Sequence, residues 1–87
     1  MSIPDTTTIE TEIRAFLADN FPLSAGFDYA ASDSLIGVGA IDSTGVLELI
    51  EHLESHYGIE VPDSEVLPEN LDSIENIARY VHSKQSA

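Results

Sequence analysis

The 87 residues carry 16 acidic side chains against Arg14, Arg79 and Lys84, for a formal charge of -13. That length allows one modest core and excludes a catalytic cleft between two lobes, while the charge repels nucleic-acid phosphates and anionic headgroups and steers the chain toward basic protein surfaces. No cysteine is present, so there is no disulfide, thiolate nucleophile or zinc–thiolate site, which is compatible with a reducing compartment.

The opening residues Met1-Ser2-Ile3-Pro4-Asp5 lack a basic start and an apolar run, and no stretch is apolar for long enough to span a bilayer. The expectation is a cytoplasmic monomer that binds neither nucleic acid nor membrane, a single domain over 1–87. A first helix is predicted over about 8–19, with Ile9, Ile13, Phe16 and Leu17 at helical spacing and a capping box from Thr7 to Glu10. Asn20-Phe21-Pro22 ends it. From Leu23 to Asp42 runs a long loop whose Leu23, Phe27, Leu35, Ile36, Val38 and Ile41 are too apolar for a free linker and are expected to pack over the core.

The second helix, about Ser43 to Tyr57, places Val46, Leu49, Ile50, Leu53 and Tyr57 within one arc of about 100°, the expected core face. Thr44, Leu47, Glu48, Glu51 and Glu54 fall on another face, which leaves Leu47 exposed among carboxylates. Gly58 suits the helix stop. A short helix is predicted over 63–67, between Pro62 and Pro68. The last helix, about 73–84, has Asp72 as its cap, Glu75 three residues on, and Ile74, Ile77, Ala78 and Val81 on one stripe. The sum is an all-α fold: a small bundle of three principal helices plus one short helix, with a long first loop.

Ser43 is the residue with chemical promise, because Gly39-Ala40-Ile41-Asp42-Ser43 puts a hydroxyl where an apolar loop turns into an acidic amphipathic helix. A phosphate esterified there would meet the positive end of the helix macrodipole, worth roughly 0.3–1 kcal/mol. Asp-Ser recurs at Asp33-Ser34, Asp63-Ser64 and Asp72-Ser73, but only Ser43 combines a Gly-containing apolar loop before it with a long helix after it. Asp42 can cap this helix. His52 and His56 stand four apart on one helical face without an obvious third ligand, and they are placed away from both the core and acidic faces, so no metal site is expected. Nothing suggests a desolvated acid pair, and no catalytic residue is assigned.

The segment Gly39-Ala40-Ile41-Asp42-Ser43 with Val46, Leu47, Glu48 and Leu49, followed by Tyr57-Gly58-Ile59-Glu60-Val61-Pro62, resembles the acyl carrier proteins of the phosphopantetheine-binding family from the first helix through the last. The resemblance implies that Ser43 receives 4′-phosphopantetheine from coenzyme A through a separate magnesium-using phosphopantetheinyl transferase, with Asp42 either only capping the helix or also orienting the incoming magnesium ion and phosphate. It further implies that the arm's thiol carries an acyl or aminoacyl group as a thioester, in fatty acid, polyketide or related biosynthesis, and that the protein catalyses nothing itself. Partners would be the transferase, a loading ligase and downstream acyl-transfer enzymes with basic patches, docking on Thr44, Leu47, Glu48 and Glu51. Two positions depart from the family pattern: Thr44 stands where a bulky apolar residue is usual, and Gly45 where fatty acid carriers often have an acid. Both leave the attachment chemistry intact and the pathway open. The reading from another class is an unmodified acidic helical adaptor for a basic protein.

Overall fold

Ile9, Ile13 and Leu17 recur every four residues and are all fully buried, which makes them the inner seam of α1 (Thr6–Asn20) in a computed structural model that describes residues 4–21 and 30–86. The helix starts earlier than the sequence suggests. Asp5, not Thr7, is the cap: its carboxylate accepts the Thr8 N–H at 2.8 Å, a bond that also holds the Asp5 carboxyl below its ordinary pKa. An aspartate three residues ahead of a free N–H satisfies a first-turn donor as well as a threonine would, and so the start moves back. At the other end the Phe21 N–H donates to the Leu17 carbonyl at 2.8 Å, and Asn20 Nδ2 donates to the Phe16 carbonyl at 3.0 Å. Pro22 disfavours a helical Phe21, whose φ of -129° confirms the stop.

Residues Leu23 and Phe27 lie outside the described residues. The rest of the first loop packs only in part: Leu35, Ala40 and Ile41 are buried and Val38 half-buried, but Ile36 is 52% exposed. This corrects the expectation that the whole apolar run covers the core. The turn is closed by the Val38 N–H donating to the Ser34 carbonyl at 2.9 Å and the Ala40 N–H to the Leu35 carbonyl at 2.9 Å.

α2 (Ser43–Tyr57) has the predicted bounds, with Asp42 as cap and Gly58 in the left-handed region at φ 67°, a conformation only glycine takes without strain. Its buried face is rotated from the expected one. Gly45, Leu49, Leu53 and Tyr57 are buried, whereas Val46 and Ile50 are only half-buried. Rotation brings His52 onto the seam with α1: its ring stacks on Phe16 at 4.0 Å between centroids, and His56 stacks on His52 at 5.0 Å. The two histidines thus line a helix joint and do not point away from it. Tyr57 closes the same seam, its hydroxyl donating to Glu12 Oε1 at 2.6 Å, and burial pushes the Tyr57 pKa up.

Burial against α1, with the neighbouring His56 second, lowers the His52 pKa from its ordinary 6.5. Glu12 opposes the shift; it also faces His56, whose Nε2 lies 3.7 Å from Glu12 Oε1. The folded state therefore favours neutral His52. Its stabilising contribution is complete above the ordinary imidazole value and is lost as pH falls through the lower folded value. His52→Phe is expected to keep the stack while losing less melting temperature than the parent on going from about pH 7.5 to about pH 5. Equal losses in thermal scans would contradict this account of the joint.

After α2, the expected helix over 63–67 is replaced by two shorter pieces, a 3₁₀ turn (Asp63–Glu65) and α3 (Pro68–Leu71). Pro68 is the reason: it suits a first helical position, where its missing N–H costs nothing, and breaks any helix running into it. The 3₁₀ turn is tied to the last helix, where Glu65 Oε1 accepts Tyr80 OH at 2.5 Å and Lys84 Nζ at 3.1 Å. Those two bonds lower the Glu65 pKa. α4 (Ile74–Ser86) buries Ile74, Ile77, Ala78 and Val81 and packs against all three other α-helices. Among the described residues every regular element is helical.

Asp72 is not the cap of α4. Ser73 takes that place, its Oγ accepting the Asn76 N–H at 3.0 Å, which frees the Asp72 carboxylate for a long-range task. It accepts the Ser34 hydroxyl and, at 3.1 Å, the Ile36 N–H, while the Asp72 carbonyl accepts the Leu35 N–H at 2.7 Å. The α3–α4 junction therefore clamps the loop that leads to Ser43. Asp72→Ala is expected to cost about 1–2 kcal/mol in urea unfolding and to speed amide exchange at Ile36. Unchanged exchange there would show that the clamp holds nothing.

Candidate functional site

Ser43 is the first residue of α2 and is exposed. Its hydroxyl is spared the commonest duty of a serine at a helix start, because Asp42 performs it. The Asp42 backbone is extended (φ -106°, ψ 178°), its Oδ1 accepts the Gly45 N–H at 2.7 Å, and its carbonyl accepts the Val46 N–H at 3.1 Å. Among the described residues Ser43 Oγ makes no hydrogen bond. The other Asp-Ser serines differ: Ser73 is 5% exposed and caps α4, Ser34 Oγ is engaged by Asp72 and by the Gly37 N–H at 3.0 Å, and Ser64 belongs to a three-residue 3₁₀ turn.

Ser43 opens on a depression of about 480 Å³ whose walls include Phe21, Ile36, Ala40 and Ile41. A long, flexible group esterified to the hydroxyl has space to leave the surface without displacing a core residue, so the residues present fit a prosthetic arm. Across Ile36 lies a second, wholly different space, an apolar groove of about 190 Å³ between α2 and α3 lined by Val46, Val66, Leu67 and Leu71.

Thr44, Leu47, Glu48 and Glu51 are all exposed on one side of α2, Leu47 at 63%. Glu54 stands on the same face but works locally, its Oε2 accepting the Val61 N–H at 3.0 Å. Sequence reasoning missed that Ile36, Val66 and Leu67 add exposed apolar surface beside this face, 36–52% exposed. The signal was present in Val66-Leu67-Pro68, an apolar pair too short for periodicity and stopped by a proline. Among the described residues no group of three or more His, Cys, Asp or Glu side chains is arranged to hold a metal ion, and no helix is long and apolar enough to cross a membrane.

Comparison with known proteins places the chain in a family. The sequence model of the family described as "Phosphopantetheine attachment site" matches residues 11–81. The chain is 36% identical over 87 residues to the D-alanyl carrier protein of Streptococcus pyogenes serotype M5 (strain Manfredo), covering all of both chains. It is 43% identical over 74 residues to the acyl carrier protein of Campylobacter hominis, covering 83% of this chain and 87% of that one. Members of the family are non-catalytic carriers of covalently attached 4′-phosphopantetheine and act with partner enzymes such as transferases and ligases. On a match that spans most of its length, the chain belongs to the phosphopantetheine-attachment family of carrier proteins.

Proposed function

We propose that Ser43 is the attachment atom and that the protein carries an acyl or aminoacyl group for enzymes of fatty acid, polyketide or related biosynthesis. The observation that supports this most is the division of labour at the start of α2: Asp42 caps the helix, leaving the neighbouring hydroxyl exposed and uncommitted. On attachment the Ser43 Oγ–phosphorus ester forms as the phosphoric anhydride of coenzyme A breaks. The nucleotide leaves, and the hydroxyl proton passes to a base of the partner transferase. When bound, the arm supplies a terminal thiol on which cargo is held as a thioester. Everything else the chain does is presentation: a rigid bundle, an exposed tether point, and a charged face that partners can bind and release.

Docking is assigned to Thr44, Leu47, Glu48 and Glu51, because an apolar side chain ringed by carboxylates suits a basic enzyme surface with a small apolar pocket. The chain's formal charge of -13 speeds encounter with such a surface, and tethering raises the local concentration of cargo once docked. The compartment proposed is the cytoplasm, with which the lack of cysteine is compatible.

Incubation with coenzyme A, magnesium and a broad-specificity phosphopantetheinyl transferase is expected to add the mass of one arm. No gain would support the adaptor reading instead. Glu48→Lys with Glu51→Lys is expected to slow that modification by roughly 10-fold or more at low salt while the circular dichroism spectrum stays helical. An unchanged rate would move recognition to another face.

A further inference from the structure

Gly45, which stands where fatty acid carriers often have an acid, has a spatial reason to be glycine. A Cβ placed on it would lie 2.6 Å from Phe21 Cε1 and 2.7 Å from Ile41 Cγ1, so the rim of the Phe21 ring occupies the volume that any other residue would fill. Phe21 is held there from behind. Its N–H is bonded to the end of α1, and Phe16 meets its ring edge to face at 6.1 Å and 73° while itself stacking on His52. The end of α1 is thereby locked into a notch in the first turn of α2, one residue beyond Thr44.

That lock builds the depression at Ser43. Phe21 and Ile41 form its walls, Gly39 and Ala40 belong to its lining, and Ile36 separates it from the groove between α2 and α3. Ser43 lines the depression but not the groove. Its volume of about 480 Å³ falls in the usual range for small-molecule sites, about 300–1,000 Å³.

We propose that this α1-side depression is the resting place of the proximal, branched aliphatic amide portion of the arm, and that Gly45 and Phe21 are the positioning residues that create it. The proposal rests on Ser43 being the attachment point. The tether fixes the occupant: Ser43 lines this space, so the first atoms beyond its Oγ begin at the rim, whereas Ser43 does not line the groove. The dimethyl branch next to the phosphate suits the Phe21 and Ile41 side chains, and the amide and hydroxyl that follow stay at an open, water-wetted mouth.

The test compares amide spectra of ¹⁵N-labelled protein with and without the arm, the arm's position being fixed separately by mass spectrometry. Shifts are expected at Asn20, Phe21, Gly39 and Ala40, together with contacts between the arm's methyl protons and the Phe21 ring. Phe21→Ala and Gly45→Ala are expected to accept the arm yet lose the shifts at Gly39 and Ala40. An arm on Ser43 whose shifts stop at residues 42–44, or fall on Val66, Leu67 and Leu71, overturns this proposal alone, as does a variant that retains the parent's shifts. If neither variant folds, the spectra of the parent protein decide. Absence of the arm from Ser43 overturns the attachment assignment as well.

Discussion

Ser43→Ala is expected to abolish uptake of the arm completely while leaving the fold unchanged. The separation of the two effects follows from the geometry of the helix start. The stabilising cap belongs to Asp42 and the Gly45 N–H, so removing Oγ at the next position breaks no hydrogen bond among the described residues. Alanine is also the best intrinsic helix former. Unfolding free energy should therefore change by no more than about 0.5 kcal/mol, and the far-ultraviolet spectrum should superimpose. The chemical effect has no such margin, because ester formation needs the oxygen that has been deleted. A drop of about 1 kcal/mol or more in urea unfolding would show that the hydroxyl does structural work after all.

Leu53→Ala is expected to be strongly damaging, at about 2–5 kcal/mol. Leu53 is fully buried and belongs to one core with Ile13, Leu17, Ile77 and Val81, so truncation removes methyl groups from close packing and leaves a cavity that the helices cannot close. A domain of this size has on the order of 5–10 kcal/mol of total stability, and the variant should unfold at much lower urea concentration. Leu47→Ala, on the same helix but 63% exposed, is the matched control and should shift stability by about 0.5 kcal/mol or less. Similar costs for the two leucines would contradict the orientation of α2.

How much of this was legible in the sequence depended on whether the deciding contacts were local. The bounds of α2 were readable, because its cap, its four-residue apolar spacing and Gly58 all lie within the element they define. Leu47 could be placed on the surface for the same reason. Asp72 could not: a capping pattern was visible, but its actual partners, Ser34 and the Ile36 N–H, are more than 30 positions away. Gly45 stood out in the sequence only as a departure, since the ring that requires it comes from the end of α1. The helical period alone places His52 and His56 away from the core and acidic faces, because Phe16 and Glu12, which lie opposite them, belong to another helix. α3 has four residues, too few for any period to show.

The attachment assignment is tested most directly by isolating the chain from its own cells and fragmenting the modified peptide in a mass spectrometer, so that the arm is located on a particular residue. The account predicts 4′-phosphopantetheine, with or without a thioester cargo, on Ser43 and on no other serine. An arm found on Ser34, Ser64 or Ser73, or a mature protein that never carries one, would contradict it.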